Sequence, residues 1–222
     1  MDAACVQQAA QQNIHIEALP FIQVMHRQDK TTQTAIENML PQKYLAIFTS
    51  KNALEAIRPF LKTIPQWQIA CISGTTSEKA ADIFGEEKII YTAATGQALA
   101  AALIKKIPAL PIAFFAGNQR LNAIPTALNE AKLQWEEIIV YDTIETAQVV
   151  SKKYDGIIFL SPSAVRSFFS ANSVEKKTLL FALGPTTANA IKEIGENEIV
   201  VSGVYTQQSL TRELIHYYHD KK

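Results

Sequence analysis

The chain repeats itself, and this constrains its fold more than any single motif does. Phe48-Thr-Ser-Lys-Asn-Ala53 recurs as Phe159-Leu-Ser-Pro-Ser-Ala164, 111 residues later. Gly74-Thr-Thr76 recurs as Gly184-Pro-Thr186 at an offset of 110, and Thr95-Gly-Gln-Ala-Leu99 as Thr206-Gln-Gln-Ser-Leu210 at 111. Three blocks in constant order at nearly constant offset read as a duplicated domain. Half of 222 residues is a viable small domain, so the chain is expected to form two of them.

Each copy alternates short apolar runs with helical spacing. Tyr44 to Thr49, Trp67 to Ile72, Lys88 to Tyr91 and Ile112 to Phe115 read as strands. Between them, Asn52 to Lys62, Gly74 to Phe84 and Gly96 to Lys106 carry helix periodicity. Strands separated by helices of this length predict βαβ units, hence a three-layer α/β fold with mainly parallel sheets.

The duplication reaches the start of the chain. Glu130 to Tyr141 reads as a helix end followed by a strand, and Ala10 to Pro20 reads the same way. In the middle of the chain this unit opens with the strand Ile112-Ala-Phe-Phe-Ala116 and the turn Gly117-Asn-Gln-Arg120; no counterpart precedes Met1 in the sequence. The expectation is one strand and loop fewer in the first domain, which would leave a sheet position open. Residues 1–24 should join 144–222 in that discontinuous domain, with 25–143 inserted as the second. Two crossings between domains, near His26–Thr32 and Asp142–Lys153, would form a two-stranded, hinge-like linker.

Charge and composition remove several function classes. Twenty-one Lys and Arg balance twenty-one Asp and Glu, which disfavours a broad nucleic-acid surface. The longest apolar region, Ala98 to Ala116, is broken by Lys105, Lys106, Pro108 and Pro111, short of the roughly 20 residues of a membrane span. Cys5 and Cys71 lie far apart, and the N-terminus lacks the pattern of a signal peptide, so a cytoplasmic setting is expected. Neither a phosphate loop nor a dinucleotide fingerprint is present. His15, His26, His216 and His219 suggest no metal set, and Cys71 reads as a small core residue. Trp67 and Trp135 each begin a strand and read as packing residues.

The informative loops follow strands and precede helices: Thr49-Ser-Lys-Asn52, Ser73-Gly-Thr-Thr-Ser77, Ser161-Pro-Ser163 and Gly184-Pro-Thr-Thr187. Ligands of open α/β sheets bind beyond the carboxyl ends of strands, where helix N-termini attract anions. Serine and threonine at such places are also the preferred N-caps, so each residue has a purely local alternative role. Tyr141 ends a strand at a predicted crossing, where its phenol could face a cleft or anchor the hinge by packing.

Phe159-Leu-Ser-Pro-Ser-Ala164, Ala182-Leu-Gly-Pro-Thr-Thr187, Ile47-Phe-Thr-Ser-Lys-Asn-Ala53, Val140-Tyr-Asp-Thr143 and Gly117-Asn-Gln-Arg120 resemble, in order, the recurrent segments of uroporphyrinogen-III synthases. The resemblance implies two related α/β domains, one inserted in the other, around a cleft. It implies a lyase that cyclises hydroxymethylbilane, a linear tetrapyrrole with eight carboxylates, to uroporphyrinogen III, inverting ring D and losing water. No metal or organic cofactor is implied, and the expected state is a monomer that binds neither membrane nor nucleic acid. By similarity, Tyr141 assists departure of the hydroxyl. Ser161, Ser163, Gly184, Thr186 and Thr187 contact substrate from one domain; Ser50, Gly74, Thr76, Ser77 and Arg120 do so from the other. The competing expectation is a non-catalytic two-domain protein that captures an anionic small molecule, or a degenerate relative of the synthase.

Overall fold

A computed structural model describes residues 1–105 and 109–220. It divides into unit 1, Met1–Gln23 with Ile144–Lys222, and unit 2, Val24–Thr143. The elements in chain order are α1 (Ala3–Ala10), β1 (Ile22–His26), α2 (Lys30–Met39), β2 (Leu45–Phe48), α3 (Lys51–Ile57), β3 (Gln68–Ile72) and α4 (Thr75–Phe84). There follow β4 (Ile89–Ala93), α5 (Gly96–Lys105), β5 (Ile112–Gly117), α6 (Ala123–Glu130) and β6 (Trp135–Glu145). The rest are β7 (Gly156–Phe159), α7 (Pro162–Phe169), β8 (Leu179–Ala182), α8 (Pro185–Lys192), β9 (Ile199–Val201) and α9 (Gln207–Asp220).

Unit 2 holds most of a six-stranded sheet of order β1-β6-β5-β2-β3-β4. The pairs β2·β3, β2·β5, β3·β4 and β5·β6 are all parallel. Alternation along β2 explains the three layers. Ala46 and Phe48 face Ile36, Leu54 and Phe84 from α2, α3 and α4, whereas Leu45 and Ile47 face Leu99, Leu103 and Leu128 from α5 and α6. Each fully buried Phe, Leu or Ile contributes about 1.5–3 kcal/mol.

Two sequence expectations shift for local reasons. The helix predicted over Asn52–Lys62 ends at Ile57 and passes into a 3-10 turn, Arg58–Phe60. Pro59 lacks the amide proton that a longer helix would need there. The helix predicted over Gly96–Lys106 runs to Lys105, with Lys106 outside the described residues.

Unit 1 carries a smaller parallel sheet, β7-β8-β9. One face packs on α7 and α8 through Val165, Phe168, Ala188 and Ile191; the other packs on α9 through Leu210 and Leu214. The strand expected after α1 forms only from Ile22 onward, and Ile14–Pro20 takes no regular strand conformation.

The chain passes between units within β1 and within β6. On the unit 2 side, Arg27 clamps Asp142 bidentately, with Nε to Oδ2 and Nη2 to Oδ1 both 2.8 Å. The guanidinium holds the Asp142 carboxyl below its ordinary range. A depressed carboxyl adds stability that is present above the unfolded value, near pH 4, and lost as pH falls through the folded one. Both partners are about one-third exposed, so screening limits the contribution to under about 1 kcal/mol. Asp142→Asn should therefore lower the urea midpoint of unit 2 slightly at pH 7 and not at pH 2–3. Both tryptophans lie in that unit, so their fluorescence follows it alone.

Candidate functional site

In unit 2 the strand order reverses between β2 and β5, because β3 and β4 extend one way and β6 the other. The carboxyl ends of strands at such a reversal leave a crevice open to ligands. Here those ends carry Ser50 after β2, and Gly117, the last residue of β5, followed by Asn118. Tyr141 lies opposite Gly117 on β6.

An irregularity in the β5·β6 ladder puts it there. Ala116 pairs with Ile139, but Gly117 pairs with Tyr141, so β6 carries one extra residue, Val140. Ile139 packs on the α5/α6 side, whereas Ile138, Val140 and Tyr141 all pack on the opposite side. Strict alternation would have sent the phenol to the other face. Gly117 makes the position habitable: a Cβ there would stand 2.4 Å from two Tyr141 ring carbons and 2.8 Å from its hydroxyl.

The following turn fixes the strand that bears Tyr141. Asn118 donates its backbone N–H to the Tyr141 carbonyl (3.1 Å) and accepts from the Thr143 amide at Oδ1 (2.8 Å). Gln119 Nε2 donates to the Thr143 carbonyl at 3.1 Å. Gly117, Asn118 and Gln119 thus hold the strand at the candidate site, a role not expected of them although Gly117-Asn-Gln-Arg120 stands out in the sequence as a turn. Arg120 spends its charge within unit 2, with Nε 2.5 Å from Glu137 Oε1 and a further bond to Asn122. Gly117→Ala should displace the phenol ring, lower turnover about tenfold or more and, as overpacking, cost about 1–3 kcal/mol of stability; a turnover assay run well below the variant's own thermal melt separates the two effects.

The serine and threonine candidates sort by what their hydroxyls already do. Ser50 and Ser161 cap α3 and α7, accepting from Asn52 N and Ala164 N, each at 3.2 Å. Ser161 Oγ is also 3.0 Å from Ser163 Oγ, and Ser163 is buried. Gly74 and Gly184 are the N-caps of α4 and α8 and offer no side-chain cap. Gly74 has φ +87°, a region costly for other residues, and a Cβ at Gly184 would meet the Tyr205 ring at 3.4 Å. The first-turn amides of α4 and α8 therefore suit an anion better than those of α3 and α7. Thr186 is exposed on the first turn of α8, Ser77 bonds back to the Gly74 carbonyl at 2.9 Å, and Thr76 and Thr187 are buried. Ser50, Gly74, Thr76, Ser77, Arg120 and Tyr141 belong to unit 2; Ser161, Ser163, Gly184, Thr186 and Thr187 belong to unit 1.

Other chemistries find little purchase. Burial pushes the Cys71 thiol up to about 11, so it is protonated and unreactive at neutral pH. Among the described residues no cluster of three or more His, Cys, Asp or Glu could hold a metal, and no helix is long and apolar enough to cross a membrane.

The family model of the uroporphyrinogen-III synthase HemD matches residues 4–212. No curated protein sequence gives a significant match. Among solved structures, the uroporphyrinogen-III synthetase of Helicobacter pylori is similar with a TM-score of 0.65 and 16% identity, over 90% of this chain and 92% of that one. A mutant uroporphyrinogen III synthase of Thermus thermophilus is similar with a TM-score of 0.64 and 13% identity, over 98% of this chain and 95% of that one. At these identities the structures speak for the fold, and the family model speaks for descent. The parallel α/β units, the repeat and a match across nearly the whole chain make this protein a member of the uroporphyrinogen-III synthase family, the cyclising lyases of tetrapyrrole biosynthesis.

Proposed function

We propose that this chain converts hydroxymethylbilane to uroporphyrinogen III, acting as a cytoplasmic monomer without a cofactor. The family match over residues 4–212 carries the reading. The net reaction removes OH from the terminal carbon and H from the pyrrole carbon that closes the ring, so one water leaves. In this reading the Tyr141 phenol hydrogen-bonds or protonates the departing hydroxyl, and its proton is restored when that pyrrole carbon loses its own. Substrate carboxylates bind the glycine-capped starts of α4 and α8, with Thr186 donating alongside. Ser50, Ser77, Ser161 and the buried Ser163, Thr76 and Thr187 shape the loops that present these donors. Arg120 supports the turn beneath Tyr141. Restricting a flexible chain to the geometry of attack can supply about 7–11 kcal/mol, which suits a site made of neutral donors.

The test is chromatographic. Hydroxymethylbilane generated in situ is incubated with the protein, and the type I and type III isomers are separated. Type III product supports the reading; type I alone, which forms spontaneously, rejects it. A second reading, a relative that binds the tetrapyrrole without turnover, draws support from the open sheet edge in unit 1. It requires saturable binding together with type I product only.

A further inference from the structure

Asn118 ends its strand with its side chain. In a parallel ladder a residue donates its N–H to one position on the next strand and accepts at its own C=O from the position two residues further on. Asn118 makes the first bond with its backbone, N–H to the Tyr141 carbonyl at 3.1 Å. It makes the second through Oδ1, which accepts from the Thr143 N–H at 2.8 Å. The carboxamide oxygen stands in for the backbone carbonyl, and the chain is free to leave the sheet in a turn closed by Arg120 N to Gly117 O at 3.2 Å.

This anchor also decides where the rest of the amide points. Thr143 offers a donor, so only the oxygen can meet it, and Nδ2 with its two hydrogens is held on the far side. Asn118 is exposed, and Nδ2 meets no acceptor among the described residues. Rotating the amide to satisfy those hydrogens would break the Thr143 bond. Two donors are therefore fixed at the carboxyl end of β5, next in the chain to Gly117, the residue on which the Tyr141 ring rests. Arg120, the cation of the same turn, is taken by Glu137, so the turn offers neutral donors and no unpaired charge.

Ending a strand does not by itself call for asparagine. Aspartate would accept from the Thr143 amide at least as well, because an ionised acceptor makes the stronger bond. Asparagine differs on the outer side, where it presents N–H donors and aspartate would hold a negative charge. Donors already fixed in place need no reorganisation when an oxyanion arrives. We propose that Asn118 is a substrate-binding residue: Nδ2 donates to one carboxylate of the tetrapyrrole and holds the chain beside Tyr141. This rests on reading the protein as a tetrapyrrole cyclase, and it adds a contact to that site.

Asn118→Asp and Asn118→Ala separate binding from anchoring. Asp keeps an acceptor for the Thr143 amide and, ionised at neutral pH, replaces the donors with a charge that repels carboxylates. Ala loses anchor and donors together. The readouts are equilibrium binding of uroporphyrinogen III, kept reduced, by calorimetry, then KM and kcat for hydroxymethylbilane, and a thermal melt. Affinity should fall about tenfold in the Ala variant and about 100-fold in the Asp variant, and KM should rise in the same order. For Asp, kcat should stay within about threefold of wild type, and the melt should be no lower than that of Ala. Raising the salt concentration about tenfold should narrow the gap between the two variants, because screening weakens the repulsion.

A purely structural Asn118 gives the opposite order, with Asp close to wild type and Ala impaired, and that result overturns the proposal. An Asp deficit that salt does not narrow reflects local misfolding and also overturns it, as does a wild type that fails to bind uroporphyrinogen III. The synthase reading fails separately. Type I product from the wild type, with the expected order of affinities, sinks that reading and leaves Asn118 a tetrapyrrole contact. Type III product with an Asp variant of unchanged affinity and KM does the reverse.

Discussion

Tyr141→Phe is expected to lower the rate of uroporphyrinogen III formation about 100-fold or more, with stability changed by no more than about 1 kcal/mol. The two readouts separate because the ring and the hydroxyl do different work. The ring is held in the core beside Ile138 and Val140, and Phe retains all of that contact. Only the oxygen is lost, and with it the donor proposed for the departing hydroxyl. Type III formation at the wild-type rate would remove Tyr141 from the chemistry. Comparison with Gly117→Ala sharpens the result, since that change keeps the oxygen and moves it. If both variants act through the placement of one phenol, the double variant should be scarcely worse than Tyr141→Phe alone; independent effects would multiply.

What could be read beforehand followed from local periodicity and from the repeat. Alternating strands and helices at constant offset implied parallel sheets, and β2, β3, β4 and β5 formed where apolar runs predicted them. The exceptions have local or pairing causes. Pro59 ended a helix early, and Ile14–Pro20, which looks like a strand, did not become one. A strand is a property of a pair, and alternation in one sequence says nothing about whether the neighbour is present.

The site was legible as a set of loops but not as an arrangement. Tyr141 stood out by position and Gly117-Asn-Gln-Arg120 as a turn, yet nothing in either segment reveals that one ring lies against the other's glycine. That contact depends on a single extra residue in a ladder joining strands about 24 positions apart. Arg120 carries a similar lesson. Its charge looked available to a carboxylate ligand, and the partner that takes it, Glu137, is supplied by β6. Capping could not be separated from ligand binding by residue type, since Ser50 and Ser161 do cap their helices while Gly74 and Gly184 leave first-turn amides without a side-chain cap.

Trp67→Ala is expected to cost unit 2 about 3–5 kcal/mol, a large share of the 5–15 kcal/mol that holds a typical domain folded. Trp67 is 1% exposed and stacks on Phe115 at 5.4 Å, and Phe115 stacks on Phe48 at 5.1 Å. Phe84 closes the group at 6.1 Å from both Trp67 and Phe48. One truncation therefore opens a void against α4, β2 and β5 together, and leaves the Met39 carbonyl without the Nε1–H that reaches it at 3.2 Å. Trp67→Phe restores most of the packing and loses mainly that bond, so about 1–2 kcal/mol is expected. The remaining tryptophan, Trp135, is half-buried and bonded to Asn129 in the same unit, so its fluorescence reports this unit's unfolding directly. A fall of about 6–20 °C in that transition for Ala, several times that for Phe, matches the packing described. Because Phe115 belongs to the strand that ends in Gly117, type III formation should fall with temperature ahead of the global melt in the Ala variant. Equal melting of the Ala and Phe variants would mean that the aromatic stack adds little and that the core is held elsewhere.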